Sequence, residues 1–407
     1  MLFRDIIGQT AVKQHLIEMV ESNRLSHALL FLGKEGSGAL PLALAFSQYV
    51  SLLPNVTAAP AEASLFGEPV ELKLPDSADK ADAWMEKQPP FQKAHGLVHP
   101  DIHFSFPVIP RKSGDKPVST DYITEWREFI KQLPYGNIYD WLQFIGAENK
   151  QGNITATECN EIIHKLNLKS FESSYKILVM WMPEYLGKEG NKLLKLIEEP
   201  PPDTLFILVA ENESAILSTI LSRCQLVKVP ALDNKDIEQA LVTRAKCLPE
   251  QARSLAGASQ GNYREALNLL QHADEDFGSL LKEWLNATLK YLPATQVRII
   301  EELARLGREK QKQFLRYFTH LLEQSIRLQV MDDPDLQQDV LQTLSEKEQE
   351  FTLRLNKVMN LEQKEAIASE LDDASYHIER NANAKILFHA LTIRLYHIVR
   401  NSVLLEV

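Results

Sequence analysis

Residues 27–40, HALLFLGKEGSGAL, set the architecture of this chain. The apolar run at their start predicts a buried β-strand, because a strand covered on both faces is almost continuously hydrophobic. Gly33, Gly36 and Gly38 then predict a tight turn that leads into a helix. A strand, a glycine-rich turn and a helix together place backbone N–H groups around a phosphate in nucleotide-binding proteins. We therefore predict an α/β domain built around this turn.

The side chains that a working phosphate loop needs are missing from this turn. In the pattern G-x-x-x-x-G-K-[ST], the lysine neutralises the phosphates and the hydroxyl group binds magnesium. Ala39 and Leu40 occupy those two positions, and Lys34 lies too early in the turn to replace the lysine. The glycines are open to two interpretations, a turn kept for packing or a residual nucleotide site. We expect the packing turn.

The next predicted strand also ends without metal ligands. Lys176–Met180 reads KILVM and is followed by Trp181, Met182 and, after one proline, Glu184. Magnesium prefers oxygen ligands, which an indole and a thioether do not offer, and we expect Glu184 to be a surface or capping carboxylate. A metal ion and a charge clamp supply most of the transition-state stabilisation in phosphoryl transfer. We therefore predict that this chain does not hydrolyse ATP.

The chain is long enough for several domains, since 407 residues exceed what one hydrophobic core usually organises. A third buried strand at Leu205–Ala210 and the helices between the strands predict a mostly parallel sheet with helices on both faces. Short helices are predicted at Pro249–Ala258 and Tyr263–Gln271, and helical periodicity continues from Phe277. The predicted divisions are an α/β domain over residues 1–230 with an irregular insertion at about 54–150, a small helical lid domain over 231–276, and an all-helical domain over 277–407.

Charge and cysteine content exclude several classes of protein. The 44 basic and 55 acidic residues give a net charge of -11, which opposes binding to naked nucleic acid. Cys159, Cys224 and Cys247 are widely spaced and form no C-x-x-C pair, so neither a disulfide framework nor a zinc site is indicated. No signal peptide and no run of 18 apolar residues is present. We expect a cytoplasmic protein without a membrane partner.

Three histidines recur every four residues and suggest a metal site at first sight. They are His95, His99 and His103. Gly96 and Pro100 interrupt this stretch, and both residue types disfavour the single helical face on which three imidazoles would converge. We therefore expect no metal ion here.

Several blocks of sequence carry a resemblance to a known family. The blocks are Asn191–Pro202 (NKLLKLIEEPPP), Thr204–Val209, Ser218–Gln225 (STILSRCQ), the opening Ile7–Gln9 and Ser26–Ala28, and Gly261–Leu267 (GNYREAL). Together they resemble the AAA+ clamp-loader ATPases of DNA replication, and the Ser222-Arg223-Cys224 triplet is the most specific part. The resemblance covers about residues 1–270, and the helical remainder fits the family's collar domain by position alone.

Within that family, broken phosphate and magnesium motifs beside an intact Ser-Arg-Cys triplet are similar to the non-hydrolysing stator of the DNA polymerase III clamp loader. The resemblance implies that Arg223 acts in trans as an arginine finger on ATP bound to a neighbouring subunit, supported by Ser222 and Cys224. The alternative for Arg223 is a surface ion pair. ATP and magnesium would then belong to the neighbour, and this chain would hold no cofactor. Relatives often carry a four-cysteine zinc module, but residues 51–110 contain no cysteine, so zinc is not carried over.

The resemblance also implies partners. They are motor subunits of the tau/gamma type and the clamp-opening delta subunit, with the sliding clamp and primed DNA reached through the complex. Arg264 lies in the block similar to the family's sensor-two helix, where it would contact the γ-phosphate in an active relative, whereas here we expect it to tie the lid to the sheet. Two other functions stay open: an active AAA+ motor with an atypical nucleotide site, and an AAA+ scaffold used outside replication.

Overall fold

The sheet at the centre of the fold contains five parallel strands. The computed structural model describes residues 1–54, 74–112, 114–147, 150–271, 277–331, 333–342, 344–380 and 382–401. The strands are β1 (Ala28–Leu32), β2 (Ile102–Ser105), β3 (Lys176–Trp181), β4 (Thr204–Ala210) and β5 (Gln225–Lys228). They are arranged in the order β2-β3-β4-β1-β5, and every pairing is parallel. The predicted parallel α/β sheet is confirmed.

The three central strands are the three predicted from continuous apolar sequence. Every residue of β3 and β4 is buried, and β1 alternates between the two faces. Leu29 and Phe31 pack into the core on one face, whereas Ala28 and Leu30 pack into the core on the other. Helices therefore cover both faces of the sheet, as expected for parallel strands.

The two edge strands were not predicted. Strand β2 has four residues and lies between Pro100 and Pro107, and β5 buries one residue in four. Neither segment shows the continuous apolar run that identifies a central strand, because each pairs along one side alone. In β1 and β5 the register pairs Leu29 with Gln225 and Leu32 with Lys228.

Helices precede, separate and follow the strands along the chain. They are α1 (Thr10–Glu21), α2 (Ala39–Ser51), α3 (Ala78–Met85), α4 (Phe91–His95), α5 (Ile123–Gln132), α6 (Ile138–Phe144), α7 (Ala156–Asn167), α8 (Leu194–Glu198), α9 (Ser218–Leu221), α10 (Asn234–Arg244), α11 (Pro249–Ala258) and α12 (Tyr263–Gln271), with 3₁₀ helices at Phe3–Asp5, Ser119–Tyr122, Pro183–Leu193 and Glu213–Ala215. All of α2 is buried, which explains its lack of a polar face. The helices predicted at Pro249–Ala258 and Tyr263–Gln271 are confirmed.

The insertion at about 54–150 is largely regular where it is described, which corrects the prediction of an irregular segment. It contributes α3, α4, β2, α5 and α6. Its many prolines and glycines separate short elements, and such elements are too brief to show a sustained periodicity in sequence. Residues 55–73, 113 and 148–149 of the insertion lie outside the described residues.

The C-terminal part of the chain is helical throughout the residues that the structure describes, as predicted. Its helices are α13 (Phe277–Leu289), α14 (Pro293–Arg305), α15 (Arg308–Val330), α16 (Pro334–Gln342), α17 (Glu346–Val358), α18 (Leu361–Glu379) and α19 (Ala384–Asn401). Their shared core contains Trp284, Phe314, Phe318 and Phe388. Of the helices that are described, none combines the length and the apolar character needed to cross a bilayer.

The chain divides into two compact units. One contains residues 1–246 and 259–267, and the other contains 247–258 and 268–407. The predicted lid over 231–276 thus contributes residues to both units. A separate lid domain and the boundaries at 230 and 276 stay predictions.

Candidate functional site

The ends of three neighbouring strands bring the predicted site residues together. Gly33 follows β1, Trp181 ends β3 and Glu211 follows β4. In a parallel sheet these ends lie on one side, which we call the carboxyl edge, and ligands of open α/β sheets bind there. The opposite side, where the strands begin, is the amino edge. The structure therefore places the glycine turn and the residues after the second predicted strand at one location.

The glycine loop, residues 33–38, has a backbone that requires glycine. Gly36 and Gly38 have φ of 71° and 91°, in the left-handed region that other residues avoid. A Cβ on Gly36 would lie 1.9 Å from the side-chain oxygen of Asn262 and 2.9 Å from the backbone nitrogen of Tyr263. The loop is thus pressed against the segment before α12. These glycines have a packing role whether or not the loop holds a ligand.

Tyr135 covers the loop from the side of the insertion. A Cβ on Gly38 would lie 3.1 Å from the ring of Tyr135, and the Tyr135 hydroxyl accepts a hydrogen bond of 2.8 Å from the backbone N–H of Ile7. Burial raises the pKa of Tyr135 to about 12, so this hydroxyl stays protonated at neutral pH. The ring also packs edge-on against Tyr263 at 5.1 Å between centroids.

Trp181 ends β3, at the position where a magnesium-binding site would carry an oxygen ligand. Aromatic rings surround it. Its ring lies 5.2 Å from that of Trp126 and 6.0 Å from that of Phe129. We call Phe106, Trp126, Phe129, Trp141 and Trp181 the aromatic cluster. Four of its members come from the insertion, and all are buried. The end of β3 therefore packs in an apolar aromatic core.

Little space remains beside the glycine loop. The cavity there has a volume of about 20 Å³, and its lining includes Gly33, Gly38, Leu40, Tyr135 and Trp181. Such a volume admits about one water molecule. Ala39 and Leu40 are both buried, and Met182 beside Trp181 is buried as well. The cavity next to the loop is therefore small in this conformation.

Arg264 is held by two carboxylates next to the loop. Its guanidinium contacts both oxygens of Asp140, one of them at 2.7 Å, and donates to Oε1 of Glu35 at 3.0 Å. Its side chain is 6% exposed. A buried guanidinium with two carboxylate partners is already neutralised. In this arrangement Arg264 ties the start of α12 to the glycine loop and to α6.

Glu184 links the ends of two strands. Its Oε1 accepts hydrogen bonds from the backbone N–H groups of Glu211 and Asn212, at 2.7 and 2.9 Å. Burial raises the pKa of this carboxyl above its ordinary value. The arrangement is that of a capping carboxylate.

Arg223 lies at the amino edge of the sheet, where the strands begin, whereas the glycine loop lies at the carboxyl edge. It precedes β5, whose first residue Gln225 pairs with Leu29 near the start of β1, whereas Gly33 follows the end of β1. A strand rises about 3.3 Å per residue, so the four residues of β5 separate the two edges by about 13 Å. The amino edge carries Arg223, and the carboxyl edge carries the glycine loop.

The guanidinium of Arg223 is partly exposed and has three partners. Nη1 donates to the carbonyl oxygen of Thr219 at 2.7 Å and to Oγ of Ser222 at 3.1 Å, and Nη2 forms an ion pair with Oε1 of Glu198. The Arg223 side chain is 34% exposed. Ser222 therefore orients the guanidinium directly. Cys224 does not offer a thiolate, because burial raises the pKa of its thiol to about 11.

Two residues of these sites were missed by sequence reasoning. Tyr135 reaches Gly38 and Glu198 reaches Arg223 from distant parts of the chain. Only Glu198 had a hint in sequence, since it belongs to the block Asn191–Pro202 that resembles the same family as the arginine triplet.

The three histidines do not converge. His95 Nδ1 lies 3.0 Å from the N-terminal amine, His99 accepts from the backbone of Asp101, and His103 is part of β2. Burial lowers the pKa of His103 to about 4. Over the described parts of the chain, no group of three or more histidine, cysteine, aspartate or glutamate residues is arranged to hold a metal ion.

Comparison with known proteins relates this chain to subunits of bacterial DNA polymerase III. Residues 92–233 match the family model described as DNA polymerase III, delta subunit. The chain is 27% identical over 261 residues to the delta-prime subunit of Bacillus subtilis, which covers 64% of this chain and 59% of that protein. It is 24% identical over 277 residues to the tau/gamma subunit of Haemophilus influenzae, which covers 67% of this chain and 30% of that protein. The chain spans less than two thirds of either relative.

Among solved structures, a DNA polymerase III gamma subunit-related protein from Thermotoga maritima aligns with 95% of this chain and 100% of its own. The TM-score is 0.38 and the identity is 15%, values too low to carry an argument. The sequence relatives support the predicted resemblance as far as subunits of DNA polymerase III.

Proposed function

We propose that this chain is the delta-prime type stator of a DNA polymerase III clamp loader. It does not hydrolyse ATP itself. It assembles with tau/gamma-type motor subunits and a clamp-opening delta subunit, and it supplies Arg223 to the ATP site of a neighbour. Through this complex it takes part in the loading of the sliding clamp onto primed DNA.

The observation that carries the proposal is the closure of the glycine loop. A cavity of about 20 Å³ lies beside the loop, and Tyr135 and Trp181 contribute to its lining. The ion pairs of Arg264 with Glu35 and Asp140 hold the loop against the start of α12. The two positions that provide charge and metal binding in a working loop are Ala39 and Leu40. An active motor would need all of these features changed.

The position of Arg223 supports the second half of the proposal. It lies at the amino edge, across the sheet from its own glycine loop, so a nucleotide that it contacts would belong to another subunit. A planar, permanently charged guanidinium stabilises the charge that develops on a transferring phosphoryl group, and such fingers are worth about 10³ to 10⁵ in rate.

Titration calorimetry of the isolated chain with magnesium-ATP tests the non-hydrolysing half of the proposal. We expect no heat of binding at millimolar nucleotide, while a tau/gamma-type motor subunit under the same conditions binds. Tight binding to this chain would favour the active-motor alternative. Failure to co-purify with the motor and delta subunits would favour a scaffold outside replication.

A further inference from the structure

Glu198 ends α8 and touches the residue that we propose acts on the neighbour's ATP. Its Oε1 forms an ion pair with Nη2 of Arg223. We propose that the carboxylate of Glu198 competes with the phosphate of the neighbour's ATP for the guanidinium of Arg223. This inference rests on the proposed function of Arg223.

The two terminal nitrogens of Arg223 have different kinds of partner: those of Nη1 are close in the chain, whereas that of Nη2 can be exchanged for a phosphate. Nη1 donates to Thr219 and Ser222, which lie within four residues of Arg223 in the chain and so keep their place beside it. Glu198 is an ionised partner of Arg223, and it comes from a different element, α8. Arginine binds carboxylate and phosphate oxygens with the same fork of donors. A phosphate can therefore replace Glu198 without disturbing the bonds of Nη1.

The backbone at Glu198, the last residue of α8, is held in place by its neighbours. The preceding residue, Ile197, is buried in the core, and its carbonyl oxygen lies 3.0 Å from Nε2 of His27, just before β1. The three prolines Pro200–Pro202 follow. Because the helix end is fixed against the sheet, Glu198 holds Arg223 at a defined place on the amino edge.

The solvent exposure of the two side chains determines how strongly Glu198 competes for the guanidinium of Arg223. The two side chains are 34% and 42% exposed, and solvent-exposed pairs of this kind contribute little. The pair therefore lowers the availability of the finger by about two- to five-fold, without blocking it. The value of kcat/KM compares the transition state with the free complex, so this is the quantity that the pair lowers.

The test uses the reconstituted complex of this chain with tau/gamma-type motor and delta subunits. DNA-stimulated ATP turnover is measured for wild type, Glu198→Gln, Glu199→Gln, Arg223→Ala and the double variant Glu198→Gln with Arg223→Ala, after equal assembly is confirmed by gel filtration. Glu199→Gln is the matched control, because it removes the adjacent carboxylate, which is not the partner of Arg223.

We expect Glu198→Gln to raise kcat/KM for ATP by about two- to five-fold, and Glu199→Gln to leave it at the wild-type value. In the Arg223→Ala background, Glu198→Gln should have no effect, which a merely structural role would not predict. Unchanged or lowered kcat/KM for Glu198→Gln, with a clear loss for Arg223→Ala, overturns the inference and leaves the proposed function standing. If Arg223→Ala has no effect, the proposed function fails and the inference fails with it.

Discussion

At the carboxyl edge of the sheet the glycine loop is enclosed by side chains, whereas at the amino edge Arg223 keeps a third of its side chain exposed. The first region has a glycine turn with positive φ at Gly36 and Gly38, beside a small cavity. The second holds a charged group on short elements, where a neighbour can reach it. The comparison shows what the proposed function requires of each region: a loop that holds no nucleotide at one edge, and a guanidinium open to a neighbouring subunit at the other.

Among the residues at the carboxyl edge, we expect the Trp181 side chain to contribute most to the free energy of unfolding. Truncation of a buried aromatic residue to alanine costs about 3–5 kcal/mol, through lost transfer energy and the cavity that remains. We expect Trp181→Ala to lower the free energy of unfolding by this amount in urea denaturation. A loss below about 1 kcal/mol would contradict the close packing of Trp181 in the aromatic cluster.

A Cβ at Gly36 tests the contact between the loop and the segment before α12. We expect Gly36→Ala to destabilise the protein by about 2–4 kcal/mol, because strain at positive φ adds to the collision with Asn262 and Tyr263. Gly146→Ala is the matched control, since its φ of 68° is similar and a Cβ there meets nothing within 4 Å. Equal losses in the two variants would contradict the close packing of the loop.

Removing the Arg264 guanidinium tests the ion pairs at the same edge. We expect Arg264→Met to cost about 2–3 kcal/mol, since Asp140 and Glu35 lose their shared cation. This is less than for a fully buried pair, because each carboxylate side chain remains 16% exposed. Thermal unfolding of the variant, compared with the exposed Arg4→Met, checks the expectation. A smaller loss for Arg264→Met than for Arg4→Met would contradict it.

The smallest effect is expected at Glu184 and depends on pH. Burial raises the pKa of this carboxyl in the folded state above its ordinary value. The folded protein thus holds the proton more tightly than the unfolded chain, so the contribution of Glu184 to stability falls as pH rises through the folded-state pKa. Glu184→Gln removes this ionisation and keeps an oxygen for Glu211 and Asn212.

We therefore expect Glu184→Gln to be more stable relative to wild type at pH 8 than at pH 5, by less than about 1 kcal/mol. Urea denaturation at the two pH values measures this difference. A relative stability that falls between pH 5 and pH 8 would contradict the assigned direction.

The central strands could be predicted, and the departure of the loop from the phosphate-binding pattern could be identified, because each is encoded in neighbouring residues. A run such as that of β3 is continuously apolar, and Ala39 and Leu40 lie within the motif that they break. Strand β5 could not be predicted from its own composition, because it buries one residue in four and is a strand through its pairing with β1. Tyr135 over Gly38 and Glu198 beside Arg223 escaped prediction because tertiary contacts between distant segments leave no local periodicity.

The proposed function depends most on whether Arg223 acts at the ATP site of another subunit. The direct measurement is DNA-stimulated ATP turnover by the reconstituted complex with wild-type chain or with Arg223→Ala, after equal assembly has been confirmed. We predict that turnover at the site completed by this chain falls by about 10³-fold or more, as for other arginine fingers. Unchanged turnover in an intact complex would contradict the account and leave Arg223 as a surface ion-pair residue.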